Sequence, residues 1–484
     1  MSLKKHVMWS NVKGYITRMP LWRKILWFTL VGAGTVLMPA FLIWLYTLHG
    51  TVGLLTVNGV IHILVILLIC PAVLLPVLSA LDIYFASGKE PGKVRLPAKY
   101  IWVLAAIITI IPLCLFGWLA PQQTHRSGDK APQLLLADGT GKYGIPDMAV
   151  TFWTLSPSLN GMKWGGAGSD YAVSEEKPAQ QHAFMLKDLR PDADYWYSLN
   201  GGQSVKFRTP PGKNQVLHFA VGSDAHFGAP LSRNDLTRKM LQQIAQPGHG
   251  YQQFFFLGDL VEHGYNDDTW KEALQAFNAT SAFIPTRPVA GNHDLLFNGV
   301  NLYKDYLYPG PMALQTGSQL WQRIDNNNIH FLLLDLEWSA EAYTPAQAAW
   351  LEKQLSTIPA DDWCIVMSHC FYYSSGGYWG LWTWYDDKDT INQLTPLFEK
   401  YDVDLVISGH NHLLELLQKN GVTYAICGAF GGVPVPPRDY ISPASVWYMG
   451  RQQAFLDITV TPENINLVFR DPDYQELKSF DLKK

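Results

Sequence analysis

The stretch VLHFAVGSDAH, residues 216–226, joins an apolar run of strand length to a cluster of polar side chains. The apolar part predicts a buried strand, and Asp224 and His226 follow its end. The same arrangement returns in GDLVE (258–262), GNHD (291–294), SH (368–369) and SGHNH (408–412), each of which follows an apolar run. Polar groups that follow strands in α/β folds gather at one edge of the sheet. We therefore expect the five clusters to converge within an α/β domain over 213–484.

The residue types in these clusters predict a metal site. Carboxylates, imidazoles and an amide oxygen suit divalent cations such as Mn, Fe or Zn, which leaves the identity of the metal open. Two metal ions about 3.5–4 Å apart need a bridging anion, and a carboxylate at a strand end can supply it. The candidate ligands are Asp224, His226, Asp259, Asn292, His369, His410 and His412. One histidine at a strand end is usually structural, but five clusters in one order are hard to explain by chance.

The order DxH, GDxxE, GNHD, H and GHNH resembles that of the calcineurin-like metallophosphoesterase family, from Leu217 to about Phe430. The resemblance implies a four-layer α/β/β/α sandwich that hydrolyses phosphate esters with two metal ions. It also implies that Asp224, His226 and His412 bind the first metal, that Asn292, His369 and His410 bind the second, and that Asp259 bridges them.

The same resemblance implies catalytic roles for two further residues. His293 would contact the phosphate or the leaving-group oxygen without binding metal, and Glu262 would orient His293. His263 would contact the phosphate where relatives have an arginine. The resulting hypothesis is in-line attack by hydroxide on phosphorus, with protonated His293 as the acid for the departing alkoxide.

Flanking segments resemble the purple acid phosphatases within this family. The stretch HCFYYSS at 369–375 is similar to their His-x-x-Trp-Tyr-x-Ser segment. This sequence departs from theirs at two positions, because they have glycine where His226 stands and a ferric-ligating tyrosine where Glu262 stands. We therefore expect a colourless site without obligatory ferric iron.

A small β domain is predicted ahead of the metal clusters. After a polar linker at 121–131, short alternating runs separated by Gly and Pro over 132–211 predict an all-β sandwich. The stretch LRPDADYWY at 189–197 resembles a corner of fibronectin type III domains, with Tyr195 pointing back into the sandwich. Such a domain would space or partly cover the site.

The beginning of the chain predicts a membrane anchor. A basic leader at 1–24 precedes apolar runs at 25–48, 52–85 and 100–120, each long enough for a transmembrane helix. Lys and Arg lie in the leader and in the loop at 89–99, which places the N-terminus in the cytoplasm. The catalytic domain of this multi-pass protein would then be extracytoplasmic, on the periplasmic or extracellular side of the plasma or inner membrane.

Substrate identity remains open at this point. A site beside the bilayer favours a phosphorylated small molecule or a lipid-linked phosphate or pyrophosphate, while a phosphodiesterase and a non-catalytic phosphate-binding sensor are the alternatives.

A net charge of −4 without a basic stripe argues against a nucleic-acid partner. The aromatic segment at 371–385 either borders the pocket, with Tyr372 and Tyr373 contacting substrate, or packs on its own scaffold. Five cysteines without a CxxC pair do not form a disulfide framework.

Overall fold

A computed structural model describes residues 114, 121, 122 and 124–484, apart from 167, 309–311, 313, 380–381 and 435–438. The predicted leader and the three predicted membrane spans lie outside the described residues, except for Cys114. Among the helices that are described, none combines the length and the apolar character needed to cross a bilayer. Residues Arg126–Lys484 form one compact unit.

Strands dominate this unit. In chain order they are β1 Lys130–Leu136, β2 Met148–Ser158, β3 Gly161–Gly166, β4 Ser169–Ser174, β5 Ala179–Leu186, β6 Asp194–Leu199, β7 Val205–Arg208, β8 Leu217–Gly222, β9 Gln253–Leu257, β10 Thr286–Val289, β11 Gln322–Asn326, β12 Ile329–Leu334, β13 Trp363–Ser368, β14 Gly377–Trp379, β15 Trp382–Trp384, β16 Leu405–Ser408, β17 Leu413–Lys419, β18 Val422–Cys427, β19 Ser445–Gly450, β20 Phe455–Val460, β21 Asn464–Arg470 and β22 Glu476–Lys483. The helices are α1 Asn234–Ala245, α2 Asp267–Ser281, α3 Asn292–Leu295, α4 Gly299–Leu307, α5 Pro345–Leu355 and α6 Lys388–Lys400, with short 3-10 turns at Pro247–His249 and Leu296–Asn298.

Two mixed sheets form the centre of the unit. Their strand orders are β22-β21-β20-β8-β9-β10-β1-β2-β5 and β11-β12-β13-β16-β18-β17-β19. Within them, β8, β9 and β10 run parallel, and so do β12, β13, β16 and β18. The parallel runs bring the carboxyl ends of distant strands to one edge, as the polar clusters predicted.

Apolar side chains fill the space between the sheets and the space under the helices. Phe219 of the first sheet meets Phe331 of the second edge to face, at 5.4 Å between ring centroids. On the outer faces, α1 and α2 cover the nine-stranded sheet, while α5 and α6 cover the seven-stranded sheet. The mixed α/β fold predicted from the sequence is confirmed, with both sheets lying between helical layers.

The strands over 130–208 do not stand apart from the catalytic fold. β1 pairs with β10 in parallel, so β1, β2 and β5 extend the nine-stranded sheet, while β4, β3, β6 and β7 form a sheet of their own. The hydroxyl of Tyr195 accepts a hydrogen bond from the Arg190 N–H at 3.0 Å, and its ring is buried. The fibronectin type III assignment and the boundaries 132–211 and 213–484 stay predictions.

Candidate metal centre

Tight turns after the strands aim the polar side chains of the predicted clusters. Asp224, Asp259 and His410 have φ angles of 64°, 54° and 64°, a left-handed conformation that non-glycine residues adopt only when their surroundings hold them there. Glycine is required at position 291, which faces Asp259, because a Cβ on Gly291 would lie 2.2 Å from Oδ1 of Asp259. The turns therefore bring the backbones after β9 and β10 into direct contact.

Asp224, His226 and His412 form the first group of donor atoms. Oδ1 of Asp224 lies 3.3 Å from Nε2 of His412 and 3.8 Å from Nε2 of His226, and the two Nε2 atoms are 3.0 Å apart. This Oδ1 atom is buried and has no hydrogen-bond partner among the described residues. A buried carboxylate oxygen without a partner is costly unless a cation satisfies it. The two imidazole nitrogens lie close enough to this oxygen for all three atoms to bind one metal ion.

Asn292, His369 and His410 form the second group. Nε2 of His369 lies 3.0 Å from Oδ1 of Asn292 and 3.0 Å from Nδ1 of His410. His369 and Asn292 are fully buried. Amide oxygen and imidazole nitrogen are donors that Zn, Fe and Mn accept, so this group also fits a metal ion.

Asp259 lies between the two groups. Its Oδ2 atom is 3.4 Å from Nε2 of His226 and 3.4 Å from Nε2 of His369. Its Oδ1 atom accepts a hydrogen bond from the His293 N–H at 2.9 Å. The carboxylate is thus equidistant from one histidine of each group, which is where a bridging ligand belongs. All seven predicted ligands converge on this volume.

Hydrogen bonds at the outer nitrogen orient three of the imidazoles. Nδ1 of His369 donates to the carbonyl of Leu257 at 2.8 Å, and Nδ1 of His412 donates to the carbonyl of Val433 at 2.6 Å. Nδ1 of His226 donates to the carboxylate of Glu262 at 2.7 Å. The Nδ1 proton is thus fixed on the outer side of each ring, so the neutral imidazole presents the lone pair of Nε2 to the site, an arrangement typical of metal-binding histidines.

Burial and close charges shift the pKa values of these groups. Burial opposes protonation of His226, but hydrogen bonds to Asp224 and Glu262 and the charge of Asp259 outweigh it and raise its pKa to about 10. Burial likewise opposes protonation of His369, and Asp259 and Asp224 outweigh it to raise its pKa to about 9. Burial and the charge of His369 lower the pKa of His410 to about 3. The free site thus holds protons where metal ions would bind.

A pH-dependent metal affinity follows from these shifts. His226 and His369 are protonated at about pH 7 and must lose their protons before their Nε2 atoms bind metal. We expect metal binding to release about two protons and the affinity to fall roughly a hundredfold from about pH 7 to about pH 6. Calorimetric titration in buffers of different ionisation enthalpy measures the release. Heats that do not depend on the buffer would contradict it.

Glu262 contacts two histidines of the site, His226 and His293. Its carboxylate lies 2.7 Å from Nδ1 of His226 but 3.5 Å from Nδ1 of His293. His293 instead donates from Nδ1 to the backbone carbonyl of Glu262 at 2.8 Å. The side chain of Glu262 therefore orients a metal ligand, and its main chain orients His293.

The structure also corrects the interpretation of Tyr372 and Tyr373. Tyr372 is 1% exposed and packs on Phe398 of α6 at 5.3 Å between ring centroids. Tyr373 packs on Tyr424 of β18 at 5.2 Å. Both rings point toward the helical layer beneath the sheet, so neither is placed to contact substrate at the strand ends.

His263 lies beside Glu262 and stacks on Tyr265 at 5.4 Å between ring centroids, with 15° between the ring planes. Burial lowers the pKa of its imidazole, which favours the neutral ring. A contact between His263 and the phosphate stays a prediction.

Three residues without a predicted role, Asp294, Asn411 and Trp338, also lie at or beside the site. The carboxylate of Asp294 accepts hydrogen bonds from the N–H groups of Val261 at 3.1 Å and Gly291 at 3.0 Å, and burial together with Asp259 raises its pKa to about 7. Asn411 donates from Nδ2 to Ser374 and Ser375. Both residues stand inside the GNHD and GHNH motifs, whose completeness was the available signal. The third residue, Trp338, belongs to no motif, and its ring lies 6.2 Å from that of His293.

Comparisons with known proteins place this site in a family context. Residues 217–414 match the family model described as calcineurin-like phosphoesterase. The chain is 27% identical over 336 residues to purple acid phosphatase 1 of Ipomoea batatas, covering 65% of this chain and 68% of that protein. It is 26% identical over 316 residues to Fe(3+)-Zn(2+) purple acid phosphatase 12 of Arabidopsis thaliana, covering 60% of this chain and 64% of that protein.

A solved structure shows the same fold. Purple acid phosphatase PPD1 from yellow lupin (Lupinus luteus) seeds superposes with a TM-score of 0.60 over 74% of each chain, at 18% identity. The sequence matches indicate a phosphoric ester hydrolase with a calcineurin-like phosphoesterase domain at residues 217–414, and the solved structure supports the fold. The donor groups described above suit the pair of metal ions, Fe, Zn or Mn, that such a hydrolase uses.

Proposed function

We propose that this calcineurin-like phosphoesterase hydrolyses a phosphate monoester or a lipid-linked phosphate or pyrophosphate, with a pair of divalent metal ions, on the extracytoplasmic side of a membrane. One observation carries the catalytic part of the proposal. Oδ2 of Asp259 lies 3.4 Å from Nε2 of both His226 and His369, so a single carboxylate joins two groups of ligands. A pair of cations held by these groups would bind a phosphate and supply hydroxide near neutral pH.

The chain's own residues would position the substrate and handle the proton. His293 is held at its N–H by Asp259 and at Nδ1 by the Glu262 carbonyl, which leaves Nε2 available to the substrate. Its side chain is 25% exposed, while the side chains of the surrounding ligands are more deeply buried, so His293 lies on the solvent side of the centre. A protonated Nε2 there would donate to the leaving-group oxygen.

The same geometry supports divalent metals without obligatory ferric iron. The carboxylate of Glu262 lies 2.7 Å from Nδ1 of His226, and hydrogen bonding of this kind makes an imidazole a better ligand. His226 would therefore supply the ligand that a tyrosinate supplies in purple acid phosphatases. We expect the metal-loaded protein to be colourless.

The membrane placement rests on the sequence. Three apolar runs at 25–48, 52–85 and 100–120 precede the catalytic unit, and the Lys and Arg residues in the leader and in the loop at 89–99 favour an extracytoplasmic catalytic domain. A lipid bilayer is then the anchor, and both lipid-linked and water-soluble phosphates can reach the site.

Purification of the full chain in detergent tests the proposal. We expect two metal ions per chain by elemental analysis and hydrolysis in a screen of monoesters, diesters and lipid phosphates. A sample stripped by a chelator and then reloaded with Mn, Zn or Fe is the control. A preparation with two metals per chain that leaves every phosphorylated compound intact would refute the proposal, and preferential cleavage of diesters would identify a phosphodiesterase.

A further inference from the structure

Trp338 places an exposed aromatic surface at the opening of the metal centre. Its ring centroid lies 6.2 Å from that of His293 and 5.8 Å from that of His410. The residue is 39% exposed, whereas Phe371, which also faces His410, is 4% exposed. One exposed aromatic residue is ordinary on a protein surface, but this one stands beside both the proposed acid and a ligand of the second metal.

Backbone contacts hold Trp338 in this position. Its N–H donates to the carboxylate of Glu341 at 2.8 Å, and its carbonyl accepts from the thiol of Cys370 at 3.1 Å. Cys370 directly follows the ligand His369, and its own N–H donates to the carbonyl of Leu336 at 3.1 Å. The segment that contains Trp338 is thus fastened to the chain beside the ligand His369.

Aromatic side chains continue from Trp338 along one side of the site. The ring of Trp384 lies 6.5 Å from that of Trp338 and 4.8 Å from that of His410. Nδ1 of His410 lies 3.0 Å from Nε2 of His369, so His410 contacts both the polar ligands and the aromatic rings. A substrate that contacts both groups carries a phosphate next to a flat apolar group.

We propose that Trp338 determines specificity by packing against the leaving group of the substrate, and that the site favours phosphate esters with an aromatic group close to the ester oxygen. The inference rests on the proposed function. If His293 protonates the leaving-group oxygen, the group attached to that oxygen must pass next to His293, and the indole ring of Trp338 lies 6.2 Å from that imidazole. Offset stacking of two aromatic rings contributes about 0.5–1.5 kcal/mol beyond the burial of area.

Two esters of similar leaving-group basicity test the inference. Ethyl phosphate and phenethyl phosphate are both alkyl esters, and they differ in the ring that would meet Trp338. In the metal-loaded full chain, Trp338→Ala should raise KM for phenethyl phosphate about tenfold with little change in kcat, and should change KM for ethyl phosphate by less than about twofold. Trp338→Phe keeps an aromatic face and should retain most of the affinity.

Tyr143 provides a matched control, because it is also 39% exposed and lies in the loop before β2. Tyr143→Ala should leave both esters unaffected. Equal effects of Trp338→Ala on the two esters, or no effect on either, would overturn the specificity role while leaving the proposed function intact. If the wild-type chain hydrolyses neither ester nor any other phosphate, the proposed function and this inference fail together.

Discussion

Replacement of Asp259 by alanine is expected to remove both metal ions and to reduce hydrolysis by roughly a thousandfold or more. The carboxylate is 1% exposed and lies 3.4 Å from a histidine of each ligand group, so its loss opens both groups at once. It also removes the acceptor for the His293 N–H. Elemental analysis and kcat/KM on the same preparation measure the two losses together.

Two further variants separate this effect from general damage to the fold. Asp259→Asn keeps the shape of the side chain and an oxygen that can accept from the His293 N–H, but it removes the negative charge. This variant should fold normally and bind metal weakly. Asp194→Ala removes an exposed carboxylate that pairs with Arg208, and it should behave as wild type. An Asp259→Ala protein that retains two metal ions and the wild-type rate would exclude the bridging position.

Replacement of His293 by alanine is expected to lower kcat about 10²–10⁴-fold on alkyl phosphates and far less on an activated aryl phosphate. An alkoxide is a poor leaving group and needs a proton, whereas a nitrophenolate departs without one. The imidazole is held through Nδ1 by the carbonyl of Glu262, so Nε2 is free for this transfer. Rates on ethyl phosphate and nitrophenyl phosphate, measured with the same metal, give the comparison.

Measurement of the metal content of the His293→Ala protein distinguishes two roles for His293, as the acid and as a metal ligand. His293 has a ring nitrogen that lies within 4.8 Å of donor atoms of His226 and Asp259, so it could also serve as a ligand. Full metal content with the selective loss described above supports the acid role. Equal losses on both esters would exclude that role, and loss of a metal ion would identify His293 as a ligand.

The metal ligands could be predicted from the sequence because the residue types that bind metal stand in short motifs directly after predicted strands. A buried parallel sheet needs continuous apolar runs, and its edge is the natural place for polar residues. Asp224, Asp259 and His410 each follow such a run within two residues, so the convergence of their side chains could be inferred without coordinates.

Side-chain direction could not be inferred in the same way. Glu262 and Tyr372 both stand close to metal ligands in the chain. The carboxylate of Glu262 contacts the ligand His226, whereas the ring of Tyr372 packs in the helical layer beneath the sheet. Left-handed turns such as the one at Asp259 redirect the chain within a few residues, so nearness in sequence does not establish a contact with the site.

Long-range pairing accounts for the remaining differences. Leu135 of β1 pairs with Thr286 of β10, so β1, β2 and β5 extend the nine-stranded sheet. Trp338 reaches the metal centre because β12 lies parallel to β13, with Leu334 opposite Ser368, so the segments that follow both strands emerge side by side. Motifs in the sequence specify which groups can bind metal. The side chains that border those groups depend on strand register and turn geometry, which arise only when residues far apart in the chain pack together.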